Sequence, residues 1–253
     1  MSDSLKSHRA VVPPVIQYHK IDKPGPGTLV RGGFTPPRRF ARQMTFLKEC
    51  GFVFYTASGL IEHFIEHDSF PENGIAVTFD DGWQDNYTNA FPVLQACGLV
   101  ATVYIVPSCI GERSTKAVAE GEEAREHLSR KQVLEMSEAG IEFGSHSLNH
   151  RLLHQLPEKE IVLEVEEAKR QIEEMTGKQC KTFAYPAGYY NKLVQQIIAD
   201  AGHSAAFSTT YGPVDTLDLY ALNRIEILRR DRFRFQFARK VEALQSTLNS
   251  SLG

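Results

Sequence analysis

The chain has 253 residues, of which 42% are hydrophobic and 23% charged, an ordinary globular composition that excludes a disordered, collagen-like or coiled-coil protein. Its 28 basic and 31 acidic residues leave a net charge of −3, without the basic excess expected of a protein that coats nucleic acid. The most apolar run, Leu99 to Val106, falls far short of the roughly 20 residues a bilayer span requires, so no transmembrane segment is expected.

No apolar segment follows Met1-Ser2-Asp3-Ser4 as it would in a signal peptide, and a cytoplasmic location is the expectation. Cys50, Cys97, Cys109 and Cys180 stand far apart without a CxxC pair, which suits reduced, mostly buried thiols better than a disulfide framework or zinc knuckle. The length suits one domain over 1–253, with flexible tails at about 1–12 and 245–253.

The first strand is expected at Pro14 to Tyr18, directly before His19. A Gly/Pro-rich surface loop, Lys20 to Gly33, leads to helices at Pro37 to Glu49 and Ser58 to Glu66. Next come a strand at Ile75 to Phe79, a helix at Asn86 to Cys97, a strand at Val100 to Val106 and a long polar loop from Pro107 to Ser129. A helix at Arg130 to Glu138 and a strand at Ile141 to Gly144 precede the clearest helix, Glu158 to Thr176. That helix carries Ile161, Val165, Ala168, Ile172 and Met175 at helical spacing between Pro157 and Gly177. The series ends with a strand at Thr182 to Tyr185, a helix at Lys192 to Ala201, and strands at Ser204 to Ser208 and Ile225 to Leu228. Alternating β and α units imply an α/β fold with a mainly parallel sheet, open or closed, and about seven units favour a barrel.

Chemistry-bearing residues gather at the expected strand ends. Thr78-Phe79-Asp80-Asp81-Gly82 leaves a strand with two carboxylates, which could serve a metal and its water, although Asp-Gly is also common turn chemistry. Ser145-His146-Ser147-Leu148-Asn149-His150 spaces two histidines at i and i+4, so on one helical turn both imidazoles could share a cation. His154 extends that series but suits a solvent-facing position, and His63 and His67 repeat the spacing mid-helix, where surface residues are expected. His19, Asp80, Asp81, His146 and Pro186 would all meet at one face of a barrel. In Phe183-Ala184-Tyr185-Pro186-Ala187-Gly188-Tyr189-Tyr190, a backbone N–H could meet an oxyanion and the tyrosines could stack on a sugar, or the segment is a tight turn with buried aromatics.

With TFDDG at 78–82, HSLNH at 146–150 and, less closely, FAYPAG at 183–188, the chain from about Pro14 to Leu228 resembles polysaccharide deacetylases of the NodB-homology type, carbohydrate esterase family 4. VIQYHKI further resembles the branch whose catalytic-acid histidine lies near the N-terminus. The resemblance implies a distorted (β/α)7 barrel and hydrolysis of the N-acetyl group of an amino sugar in a polysaccharide or its precursor. It implies one divalent metal, usually Zn2+ with Ni2+, Co2+ or Mn2+ as alternatives, on Asp81, His146 and His150. Asp80 would be the general base, His19 the acid and the Ala187 N–H an oxyanion donor, with Tyr185, Pro186 and Tyr189 near substrate. Many members carry an arginine where this chain has Ala184, and Arg224 is the candidate replacement; position 187 is alanine where tyrosine is frequent. Alternatives are an amidohydrolase of small amides or cyclic imides and a non-catalytic glycan-binding barrel. The C-terminal segment Arg229 to Asn249, basic and aromatic, is expected to pack on the barrel as a closing helix, with contact to anionic lipid as a lesser alternative.

Overall fold

The computed structural model describes residues 14–114, 118, 121, 124–209, 217–231 and 235–241. The tails expected at 1–12 and 245–253, and positions 232–234 and 242–249 of the C-terminal segment, lie outside the described residues.

Local chemistry accounts for the helices. Helix α1 (Pro37–Glu49) starts on a proline whose missing N–H costs nothing in the first turn, and it buries Phe40, Met44 and Leu47. Helix α2 (Ala57–His67) is capped by the Thr56 side chain, which accepts from Gly59 N. An expected single helix over 86–97 divides into a π-helical turn, Asn86–Ala90, and α3 (Phe91–Cys97). Pro92 supplies the reason, because its ring nitrogen cannot donate the i→i−4 bond that would continue an α-helix through this point. A reciprocal Ser129–Gln132 capping box opens α4 (Arg130–Glu138). Helix α5 (Glu158–Thr176) buries the stripe Ile161, Val165, Ala168, Ile172 and Met175, and α6 (Lys192–Asp200) is capped by Asn191.

Strands β1 (Val15–Tyr18), β2 (Val53–Tyr55), β3 (Gly74–Phe79), β4 (Thr102–Ile105), β5 (Glu142–Ser145), β6 (Thr182–Ala184), β7 (Ala205–Phe207) and β8 (Ile225–Glu226) form one parallel sheet. Their order is β7-β6-β5-β4-β3-β1-β8, with β2 outside this path. β2 was not expected from the sequence; it pairs with Gly74–Ala76 of β3 while β4 pairs with Thr78–Phe79. Phe207 bridges Leu222, and Ser208 N donates to Leu222 O at 2.7 Å. These contacts carry the approach to β8 alongside β7 and curl the seven-strand path into a distorted (β/α) barrel.

Apolar side chains from both sheet faces and the helices form the core, which includes Ile16, Val77, Val103, Phe40 and Ile172. Phe237 and Val241 join it from the 235–241 helical segment, so this part of the C-terminal region packs on the barrel as expected. Cys180 is buried, but Cys50 is exposed and Cys97 and Cys109 are half-buried, so the four free thiols are not mostly buried. Among the described residues no helix is long and apolar enough to cross a membrane.

Candidate active site

Parallel pairing brings the strand C-termini to one end of the barrel, where such folds carry their sites. Register then sets the neighbours. Tyr18 pairs with Phe79, and Asp80 N donates to Tyr18 O at 3.0 Å, so His19 and the two aspartates leave the sheet side by side. His146 follows β5, its N–H donating to Ile105 O at 3.0 Å.

Asp80 is 1% exposed and is held from two directions. Arg224, wholly buried, donates through Nη1 to Oδ1 and through Nη2 to Oδ2, both at 2.7 Å, and Gln17 Nε2 donates to Oδ2 at 2.7 Å. Arg224 also donates to Thr78 Oγ1 and to Ser208 O, which locks the guanidinium fork. Burial opposes ionisation of Asp80, but Arg224, with His146 and His19, outweighs it and holds the carboxyl below its ordinary range. Ala184 contributes no side-chain charge, yet its carbonyl accepts from His146 Nδ1 at 2.7 Å.

Asp81 turns away from Asp80 because its backbone enters the left-handed region at φ 72°. Gly82 continues there at φ 67°, and a Cβ on it would come within 2.8 Å of Ile105 Cγ2. The expected helical turn over 146–150 is absent: Ser147 and His150 have φ of 61° and 54°, and the segment is a loop. The buried Glu164 of α5 holds that loop, accepting from Asn149 N and Nδ2 at 2.8 Å while its backbone oxygen accepts from Leu148 N. With Ala187 at φ 55°, four of the six left-handed non-glycine positions among the described residues fall in this one region. Such conformations cost on the order of 1–3 kcal/mol each and persist where the surroundings over-determine them, which happens most at functional sites.

Together these turns direct three ligand atoms to one point. Asp81 Oδ1 lies 3.4 Å from His150 Nε2 and 3.6 Å from His146 Nε2, and the three atoms are all within 4.8 Å of one another. Ligands at about 2.0–2.1 Å from a tetrahedral cation would lie about 3.4 Å apart, so the spacing fits a metal ion of zinc's size. The donor set fits as well. The His146 Nδ1 bond to Ala184 O leaves Nε2 free to coordinate, and Trp83 Nε1 donates to Asp81 Oδ2 at 2.9 Å while Oδ1 faces the histidines. Burial disfavours the Asp81 anion, but His150, His19, His146 and Lys20 more than compensate and keep it ionised.

A cleft of about 300 Å³ opens over this point, lined by His19, Asp81, Trp83, His127, His150 and Glu226 among others. His19 Nδ1 is buried without a hydrogen-bond partner and lies 3.9 Å from Glu226 Oε1. Ala187 is exposed beside the buried Pro186. Tyr185 stands apart from the other candidates: it is wholly buried, its hydroxyl donates to Tyr220 O at 2.7 Å and its ring stacks on Tyr190. Tyr189 is 59% exposed and touches His154, which is not among the converging ligands. His63 and His67 stack on each other along α2 and are not among the converging ligands.

Gln17, Trp83, His127, Glu164 and Glu226 were not singled out in the sequence. Gln17 and Glu226 alternate with buried apolar residues on short strands, a signal that a polar side chain points into the barrel, but nothing local said towards what.

A barrel that collects ionisable groups and strained turns at its strand C-termini has the layout of an enzyme. The family model for polysaccharide deacetylases matches residues 67–206, and the chain belongs to that family. YxkH of Bacillus subtilis (strain 168), whose name places it with polysaccharide deacetylases, is 26% identical over 224 residues, covering 88% of this chain and 74% of that protein. A poly-beta-1,6-N-acetyl-D-glucosamine N-deacetylase of Staphylococcus aureus (strain MSSA476) is 27% identical over 179 residues, 67% of this chain; the match spans 59% of the staphylococcal protein. The Streptococcus pyogenes deacetylase PplD, solved in complex with acetate, superposes with a TM-score of 0.77 at 25% identity, covering 94% of this chain and 99% of that one. The barrel is therefore of the NodB deacetylase type.

Proposed function

We propose that this protein is a divalent-metal-dependent N-deacetylase that removes the acetyl group from an N-acetylated amino sugar in a polysaccharide or its precursor. The observation that carries this reading is the convergence of the Asp81–His146–His150 triangle with the Asp80–Arg224 pair and His19 around one cleft. The name of the staphylococcal relative supports the substrate class, and that of the streptococcal one supports deacetylation.

Asp81, His146 and His150 would hold the cation. A bound Zn2+ supplies Lewis-acid polarisation of the amide carbonyl and lowers the pKa of water from 15.7 towards about 7. Asp80 takes the proton of the attacking water. Its Oδ1 accepts one bond, from Arg224, and so keeps a lone pair for that task, whereas Oδ2 is occupied by both Arg224 and Gln17. The Ala187 N–H stabilises the oxygen of the tetrahedral intermediate. His19 protonates the departing amine, and Glu226 beside its Nδ1 keeps the ring turned into the cleft.

Elemental analysis paired with acetate release from N-acetylglucosamine oligomers tests the reading. About one divalent ion per chain, with release abolished by Asp80→Asn, is the expected result. Metal without acetate release from any N-acetylated sugar would shift the reading to a different amide, and metal-free active protein would refute the roles of Asp81, His146 and His150.

A further inference from the structure

The first family motif ends at Gly82, but the contacts around Asp81 do not. Trp83, 6% exposed, donates through its indole N–H to Asp81 Oδ2 at 2.9 Å. Two groups pack on its ring: the His127 imidazole stacks on it at 4.2 Å with 25° between planes, and Lys20 Nζ lies 4.4 Å from its centroid. His127 Nδ1 is 3.0 Å from the Asp81 backbone oxygen, and Trp83 and His127 are bridged through their backbones. Gln84 N donates to Glu126 O and Leu128 N to Gly82 O on either side of that bridge. A segment some 45 positions downstream thus straps the turn that carries Asp81.

We infer that Trp83 is a positioning residue for the metal, an inference that rests on the metal-dependent reading above. A carboxylate has two chemically equal oxygens and can rotate to offer either or both. With Oδ2 committed to the indole N–H, Asp81 presents Oδ1 to the point faced by His146 Nε2 and His150 Nε2. The His127 stack and the Lys20 ammonium hold the indole in the plane that makes this bond. His127 serves the same end from below, through the Asp81 carbonyl. Outer partners of this kind orient ligands, and their loss typically weakens metal binding by about 10–100-fold.

The test compares wild type, Trp83→Phe, and protein in which position 83 carries β-(3-benzothienyl)alanine, an indole isostere with sulfur in place of N–H. Zn2+ affinity is measured by chelator competition, Co2+ by its visible absorption, and the thermal midpoint on metal-free protein. The expected result is a 10–100-fold weaker Zn2+ affinity in both variants and an altered Co2+ spectrum, with the metal-free midpoint of the isostere close to wild type. A Zn2+ affinity within about twofold of wild type in the isostere-bearing protein would overturn the inference while leaving the metal-dependent reading intact. Failure of wild type to bind Zn2+ or Co2+ would overturn both. Should Trp83→Phe fold poorly, the isostere retains the ring area and decides the question alone.

Discussion

Replacing Arg224 by Met separates a charge from the carboxylate it neutralises without opening a large cavity. In the native protein Asp80 and Arg224 are 1% and 0% exposed and share two 2.7 Å hydrogen bonds, so neither charge can turn to water when its partner is lost. Breaking a buried pair from one side costs about 3–5 kcal/mol, and Arg224→Met should lower the urea-derived unfolding free energy by that amount at pH 7. The Asp80→Asn/Arg224→Met double variant should recover most of the loss, because the amide oxygen introduced at position 80 can still accept from Gln17 and no charge is stranded. The dependence on pH gives a sharper signature. In wild type the Asp80 carboxyl is held below its unfolded value, so its contribution is complete above about pH 3.9 and is lost as pH falls through the folded value. Without Arg224 the burial effect, the largest influence on Asp80, is opposed only by His146 and His19 and raises the folded pKa. Stability should then fall as pH rises above about 3.9, by up to about 1.4 kcal/mol per pH unit until the folded value is reached. Equilibrium urea unfolding of the three proteins from pH 4 to 8 measures this. A loss below about 1 kcal/mol for Arg224→Met, or a pH slope with the wild-type sign, would refute the account of Arg224 as the charge that keeps Asp80 ionised.

Three further outcomes are expected. His19→Gln should lower kcat for acetate release by about 10²–10⁴ while leaving Zn2+ affinity unchanged, and a parallel loss of affinity would instead make His19 part of the metal site. Tyr185→Phe should cost about 1 kcal/mol by removing one of the two hydrogen bonds to Tyr220 O, which Gln195 Nε2 also donates to at 3.0 Å, with KM unaltered, whereas Tyr189→Ala should raise KM and change stability by less than about 0.5 kcal/mol; the reverse pattern would put Tyr185 at the substrate. Burial holds His203 neutral and pushes its imidazole down to about 3, so its contribution is complete above the unfolded value of about 6.5 and drains as pH falls from there towards 3. At pH 5 wild type should have lost about 2 kcal/mol through this group, and His203→Phe should flatten that part of the profile.

Much of this was legible from residue order because the determinants are local. The bounds of α1, α4 and α5 follow from prolines, caps and apolar spacing, and their residues match the expected spans. β2 escaped notice because Val53–Tyr55 is three residues long and half exposed, with neither alternation nor a buried run to mark it. The helical turn expected at 146–150 failed because spacing alone cannot report φ. Glu164, contributed by another element, stabilises the left-handed loop by accepting both Asn149 donors. For a similar reason residue order left open whether Tyr185 meets substrate or lies buried, since its burial depends on Tyr190 and Tyr220, which come later in the chain.

Arg224 shows how strand register converts such distant residues into a site. Pairing of Ile16 with Ile225 puts Arg224 level with Val15, below the rim of the barrel rather than at it. From there only a long side chain can reach Asp80, which lies beyond the Tyr18–Phe79 pair, and the guanidinium spans that distance while resting on Thr78 Oγ1 and near the Tyr104 ring. A lysine would carry the charge but not the fork. Ala184, at the position where relatives were expected to carry the arginine, then has a reason to be small: it lies wholly buried in β6, and its backbone carbonyl is free to orient His146. The small residue at position 184 and the buried arginine 40 positions later are thus two halves of one packing arrangement. Ala184→Arg alone should then destabilise the barrel by adding a second buried guanidinium, whereas Ala184→Arg combined with Arg224→Met should be the better folded of the two, a comparison that thermal unfolding decides.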